Sequence, residues 1–264
     1  MNKKYIILTG VAGNVGGQLA SFLLERNYSM ILTVQKAEHV PLIADHLKKF
    51  ENNFQILVLD LSEQESIEDF VEKINDIGIS GLINCAACDN IDDITTLSYE
   101  NMKNIMNINY LGTSYLTKKL VQKNILAEQP LHIVNISSLL SIYGSHKSAA
   151  YSASKAALEA FSRNVVCEFA DKGIICNTIR LAGINGDVDI YGSQAEVKGF
   201  DKYKVKKNTK NELSSIPNKR LANFMEINKL IEFLLSGKSD YINGQVINID
   251  GGISIKYPGY SIDN

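Results

Sequence analysis

Short apolar runs recur along the chain at Tyr5–Leu8, Met30–Val34, Gln55–Leu59, Leu82–Asn84, His132–Ile136, Ile174–Ile179 and Val246–Ile249. Each has the length of a strand, and the runs are nearly continuous instead of alternating, as in strands covered on both faces. Between them lie stretches of helical spacing, around Leu19 to Leu24 and at residues 40–50, 63–76, 98–127, 150–171 and 226–236. Parallel neighbours need crossover connections, so this rhythm predicts an α/β fold: a doubly wound parallel sheet of about seven strands with helices on both faces. No linker, repeat or low-complexity tract divides residues 1–264, and one domain is expected. Only the segment 185–215 breaks the pattern. It is polar, carries Lys202, Lys204, Lys206, Lys207 and Lys210, and reads equally as a solvated insertion or as a lid over a substrate.

Composition narrows the function. The 264 residues are 45% hydrophobic and 21% charged, and 27 Lys plus Arg face 29 Asp plus Glu for a net charge of -2. No positive excess exists to hold nucleic acid nonspecifically, so a nucleic-acid partner is not expected. Four cysteines, no cationic leader, and no apolar segment approaching the ~18 residues of a membrane span point to a reducing compartment. The expectation is a cytoplasmic protein with no membrane partner.

The first run ends in Thr9-Gly10-Val11-Ala12-Gly13-Asn14-Val15-Gly16 and leads into a helix. Glycines there permit a tight turn and close backbone approach, so Gly10, Gly13, Asn14, Val15 and Gly16 are candidates to hold a pyrophosphate against the helix amides. Asp60, followed by Leu61, ends the third run and is placed to accept from an adenine amino group, the alternative being a helix N-cap or a turn carboxylate. Asn84-Cys85-Ala86-Ala87 ends the fourth, with Asn84, Ala86 and Ala87 where a cofactor would pass closely. The second run ends in Thr33-Val34-Gln35-Lys36 without an acid to hold a free 2′-hydroxyl. Gln35 and Lys36 therefore slightly favour NADP(H) over NAD(H).

Tyr151-Ser152-Ala153-Ser154-Lys155 opens an Ala-rich helix. Four apart, the phenol and the ammonium share a helical face, where the cation favours the ionised phenol for proton transfer. With the glycine turn, Asn109 in Met106-Asn107-Ile108-Asn109-Tyr110-Leu111-Gly112, and Ile133-Val134-Asn135-Ile136-Ser137-Ser138, this pattern resembles the short-chain dehydrogenase/reductase family from about Lys4 to Ile253. Ser138 precedes Tyr151 by thirteen residues, as the family pattern has it. The resemblance implies a Rossmann-type fold and a catalytic tetrad of Asn109, Ser138, Tyr151 and Lys155. Tyr151 would give or take the proton on the substrate oxygen and Ser138 would hold that oxygen. Lys155 would lower the Tyr151 pKa and hold the nicotinamide ribose, and Asn109 would support a water-linked proton path. Ile184 would hold the carboxamide through its backbone, and a homodimer or homotetramer is implied.

Three departures from the family stand out. The stretch Gly244–Gly252 is similar to the last strand of the family's compact, single-domain branch, but the glycine spacing, with Asn14 in place of that branch's Gly or Ala, is more like the extended branch; Leu181-Ala182 replaces the usual Pro-Gly; and Gly186 stands where Thr is usual. The expected activity is hydride transfer between nicotinamide and a small-molecule carbonyl or secondary alcohol, with a sugar-related substrate suggested by the glycine variant. Two alternatives are a non-catalytic dinucleotide-sensing regulator, against which Tyr151 and Lys155 count, and an epimerase or dehydratase with tightly bound cofactor. Cys85 and Cys88 have the spacing of a redox or half-zinc motif, but no second pair accompanies them, and the four histidines show no ligand spacing. No metal is expected.

Overall fold

All seven apolar runs form strands, each parallel to its neighbours. The computed structural model of the chain describes residues 3–89, 92–184 and 210–256. The strands are β1 (Lys4–Leu8), β2 (Met30–Val34), β3 (Phe54–Val58), β4 (Gly78–Asn84), β5 (Leu131–Ser138), β6 (Ile174–Leu181) and β7 (Val246–Ile249). They build one sheet in the order β3-β2-β1-β4-β5-β6-β7.

The helices are α1 (Asn14–Leu24), α2 (Val40–His46), α3 (Gln64–Lys73), α4 (Tyr99–Met106), α5 (Thr113–Leu126), α6 (Ala149–Phe169), α7 (Lys210–Ser215) and α8 (Phe224–Leu235). They cover both faces, which is why the strands read as continuous apolar runs. In β1, Ile6 and Leu8 enter the core under α1 and α8 with Leu19, Leu23, Ile227 and Ile231. Ile7 between them enters the opposite core with Phe70 of α3 and Leu116 and Leu120 of α5. Each such buried Leu, Ile or Phe contributes about 1.5–3 kcal/mol by leaving water.

The stretch 98–127, which spacing alone predicts as one helix, is interrupted. Between α4 and α5 the chain makes a π turn, Asn107–Gly112, with Asn109 inside it. A Cβ on Gly112 would run into the carbonyl oxygen of Leu61, so this turn presses directly on the loop after β3. Thr113 Oγ1 donates to the Ile108 carbonyl at 2.9 Å and so occupies an acceptor inside the widened turn. Of the expected insertion 185–215, residues 185–209 lie outside the described residues, and its end forms α7.

Strand order reverses between β1 and β4: β1, β2 and β3 run toward one edge, and β4 to β7 toward the other. In such sheets ligands bind at the carboxyl ends of the strands beside this reversal. The turn after β1 and the segment after β4 meet there.

Candidate active site

The glycine turn is bolted to the end of β4. Thr9 Oγ1 accepts from the backbone amides of Cys85 and Ala86, at 3.0 and 3.1 Å. Gly10 has φ +74°, and a Cβ on it would lie 2.6 Å from Cα of Ala86, so no larger residue fits. Gly13 caps α1 with extended backbone, no side chain caps the helix, and its first turn holds no acid. The positive end of the α1 dipole thus meets neither a side-chain cap nor a first-turn acid, which suits the pyrophosphate of a dinucleotide. Asn14 and Val15 open α1 and Gly16 packs over the Gly10 carbonyl oxygen, so the unusual Asn14 leaves the start of the helix intact.

Beyond β2, Gln35 Nε2 donates to Asp60 Oδ2 at 3.1 Å, and Lys36 stands exposed, 3.9 Å from Glu38. Asp60 Oδ1 accepts from the amide and hydroxyl of Ser62, at 2.9 and 2.7 Å. Asp60 thus braces the turn after β3 through Oδ1, with Oδ2 turned toward Gln35. The Leu61 side chain is buried in the core. The Asn84 side chain is buried, and Nδ2 donates to Asn135 Oδ1 at 2.6 Å and Thr117 Oγ1 at 3.1 Å. A buried amide N–H needs such partners. Ala86 and Ala87 continue the segment beyond it.

The remaining candidates lie on α6, at the end of β5, in the π turn and beyond β6. On α6, Lys155 Nζ lies 5.6 Å from the centre of the Tyr151 ring. Lys155 is 2% exposed and donates to the Ile136 carbonyl at 2.8 Å. Burial pulls its pKa down to about 8, opposed by the neighbouring Cys85, Cys88 and Glu159. Ser138 ends β5 two residues beyond Ile136, and its Oγ accepts from the Leu140 amide at 3.2 Å, capping the following turn. Asn109, 1% exposed, grips Cys88 at both backbone atoms: Oδ1 accepts from its amide at 2.8 Å and Nδ2 donates to its carbonyl at 2.8 Å. Nδ2 also donates to Ser154 Oγ at 3.0 Å. Asn109 thereby ties the widened turn, the segment after β4 and α6 together. Ile184 pairs with Ala222 in a parallel bridge beyond β6. Gly186 lies outside the described residues.

Cys85 and Cys88 have thiols pushed up to about 11, mainly by burial, which opposes the low pKa of a reactive thiol. Among the described residues no three metal-ligating side chains cluster, and no helix is long and apolar enough to cross a membrane.

Glu159, Arg180, Ser137 and Ser141, which the spacing of the chain did not single out, form a bonded group beside Ser138. The available signal was Arg180, a charge within a strand otherwise buried on both faces, where a cation demands a partner.

A family model described as enoyl-(acyl carrier protein) reductase matches residues 10–254. The chain belongs to the short-chain dehydrogenase/reductase family. It is an NAD(P)-dependent oxidoreductase of that family. The 3-oxoacyl-[acyl-carrier-protein] reductase FabG of Buchnera aphidicola subsp. Schizaphis graminum is 30% identical over 258 residues, 96% of this chain and 98% of that protein. The 3beta-hydroxysteroid dehydrogenase 2 of Eggerthella lenta is 25% identical over 251 residues, 94% of each. Among solved structures, ElxO with NADP bound has a TM-score of 0.82 at 25% identity, covering 96% of this chain and 100% of that one. A short chain dehydrogenase from Bacillus anthracis has a TM-score of 0.83 at 23% identity, covering 97% and 99%.

Proposed function

We propose that this short-chain dehydrogenase/reductase uses NADP(H) in preference to NAD(H) and reduces the carbonyl of a small molecule to a secondary alcohol, or runs the reverse. The observation that carries the reading is the buried Lys155 beside Tyr151, hydrogen-bonded to the Ile136 carbonyl two residues before Ser138. A cation is costly to bury, and placing one next to a phenol at the mouth of a dinucleotide crevice is explained by proton transfer to a substrate oxygen. The bound nicotinamide supplies or accepts the hydride.

Tyr151 delivers the proton to the carbonyl oxygen in reduction and removes it in oxidation. Ser138 Oγ donates to that oxygen and holds it in place. Lys155 provides positive charge beside the phenol, and Asn109 holds the segment after β4 against α6 at Ser154, next to Lys155. Gly10, Gly13, Asn14, Val15 and Gly16 receive the pyrophosphate, Asp60 and Leu61 lie on the adenine side, and Ile184 holds the carboxamide. Gln35 and Lys36 lie on the side of the 2′-phosphate. Neither alternative is favoured: a regulator has no use for the buried Lys155, and no observation in the site calls for a retained cofactor.

The test is turnover of NADPH by the purified protein against a panel of carbonyls, read by the loss of reduced-cofactor absorbance. The panel starts with acetoacetyl-coenzyme A, because relatives are named as 3-oxoacyl reductases, and continues with keto sugars and simple ketones. Turnover of any member supports the activity and identifies its class. No turnover, with NADPH bound, overturns it. A homo-oligomer is part of the proposal and is read by light scattering.

A further inference from the structure

One helical turn beyond Lys155 lies a buried acid that the mechanism above does not use. Glu159 follows Lys155 by four residues on α6 and so continues the stripe of Tyr151 and Lys155. It is 3% exposed. Its Oε1 accepts from Ser137 Oγ at 2.7 Å, Ser141 Oγ at 2.6 Å and Arg180 Nε at 2.8 Å, and its Oε2 accepts from Arg180 Nη2 at 2.6 Å. Arg180 Nε also reaches Ser141 Oγ at 3.1 Å.

The register of the sheet explains the convergence. Ser137 of β5 lies opposite Arg180 of β6, so the two side chains share the face that α6 covers. Ser137 and Ser141 bracket Ser138, and a single carboxylate oxygen therefore holds the segment carrying Ser138 from both sides. Lys155 adds a third tether at Ile136. An ion pair serving the fold alone needs only its two partners, and buried pairs are often replaceable by apolar residues without loss. Here two of the four hydrogen bonds that Glu159 accepts come from one short segment, Ser137 to Ser141, which contains the candidate oxygen-holding hydroxyl.

We propose that Glu159 is a positioning residue: through Ser137 and Ser141 it sets the place of Ser138 Oγ against the substrate oxygen, with Arg180 as its counter-charge. The proposal rests on the carbonyl chemistry proposed above. Reaction needs the donor held close to its productive position, and a shift of about 1 Å costs on the order of a hundredfold in rate.

The deciding variant is Ser137→Ala with Ser141→Ala, which keeps the Glu159–Arg180 pair and all four candidate catalytic residues. With acetoacetyl-coenzyme A as probe, or the panel carbonyl turned over fastest, kcat is expected to fall about tenfold to a hundredfold. The NADPH Kd stays within about twofold because its site is untouched. Amides of Leu139 to Ile142 are expected to exchange hydrogen about tenfold faster while the global unfolding midpoint is little changed. A second variant, Glu159→Leu with Arg180→Leu, restores an apolar contact, and its kcat is expected to stay low even where its thermal stability is regained. Undiminished kcat in either folded variant of an active enzyme overturns the positioning role. A wild type idle on every carbonyl overturns the function instead, and the exchange rate then decides the tether: unchanged exchange in the serine variant removes it.

Discussion

Lys155 Nζ donates to the carbonyl of Ile136 at 2.8 Å, so the buried cation of α6 is fastened to the strand that ends in Ser138. The arrangement costs stability. Burial holds the ammonium near a pKa of about 8 against 10.5 in the unfolded chain. Between those values the unfolded state binds more protons than the folded one, so the group makes the protein more stable as pH rises from about 8 to 10.5. Below pH 8 the full penalty applies, on the order of 3 kcal/mol. Lys155→Met is therefore expected to unfold at a higher temperature than the wild type at pH 7 despite losing a hydrogen bond worth about 1 kcal/mol. That advantage should vanish by pH 10.5, and chemical denaturation across pH reads it directly. A less stable variant at pH 7 would show that the cation is better compensated than its burial implies.

The same titration bears on rate. Loss of the proton from Lys155 removes the positive charge beside Tyr151, so kcat/KM for carbonyl reduction is expected to fall as pH rises through about 8. Tyr151→Phe removes the proton donor itself. It is expected to lower kcat by about a hundredfold or more while NADPH still binds, measured by cofactor fluorescence and steady-state kinetics. A phenylalanine variant of near-normal rate would require another proton donor.

Gly10 combines φ +74° with a backbone neighbour 2.6 Å from where a Cβ would sit. Gly10→Ala is expected to destabilise the fold by about 1–3 kcal/mol from strain and overpacking. It also displaces the turn from Ala86, so the NADPH Kd is expected to rise together with the loss of stability. Calorimetric titration and thermal melts on one preparation check both, and unaltered affinity would place the pyrophosphate elsewhere.

Selectivity between cofactors turns on the end of β2. Gln35 lies 3.1 Å from Asp60 and Lys36 is exposed, so no carboxylate on β2 is available for a 2′-hydroxyl. NADPH is expected to bind tighter than NADH. Gln35→Asp, which sets a second carboxylate beside Asp60, is expected to weaken NADPH about tenfold or more by loss of a charge-compatible contact. Equal affinity of the wild type for the two cofactors would contradict the assignment.

The α/β class, the seven strands, the glycine turn and the Tyr151–Lys155 pair were legible in the chain because each is a short-range property. Apolar runs report strands covered on both faces, and a spacing of four reports a shared helical face. The interruption at Asn107–Gly112 was not legible, since a π turn leaves the local composition helical and its close approach to Leu61 is a contact across the fold. Nor were the hydrogen-bond partners of Asn84, since Thr117 and Asn135 lie on α5 and β5. Glu159 followed the helical stripe, but its meaning depended on Arg180 and Ser137 standing opposite each other. Period says which face a strand residue occupies and nothing about what faces it on the next strand. The sequence by itself determined the elements and the chemistry available at their ends. Only the tertiary structure decided which of those groups share a hydrogen bond, because pairing register and the close approach of distant turns are set by packing across the whole sheet.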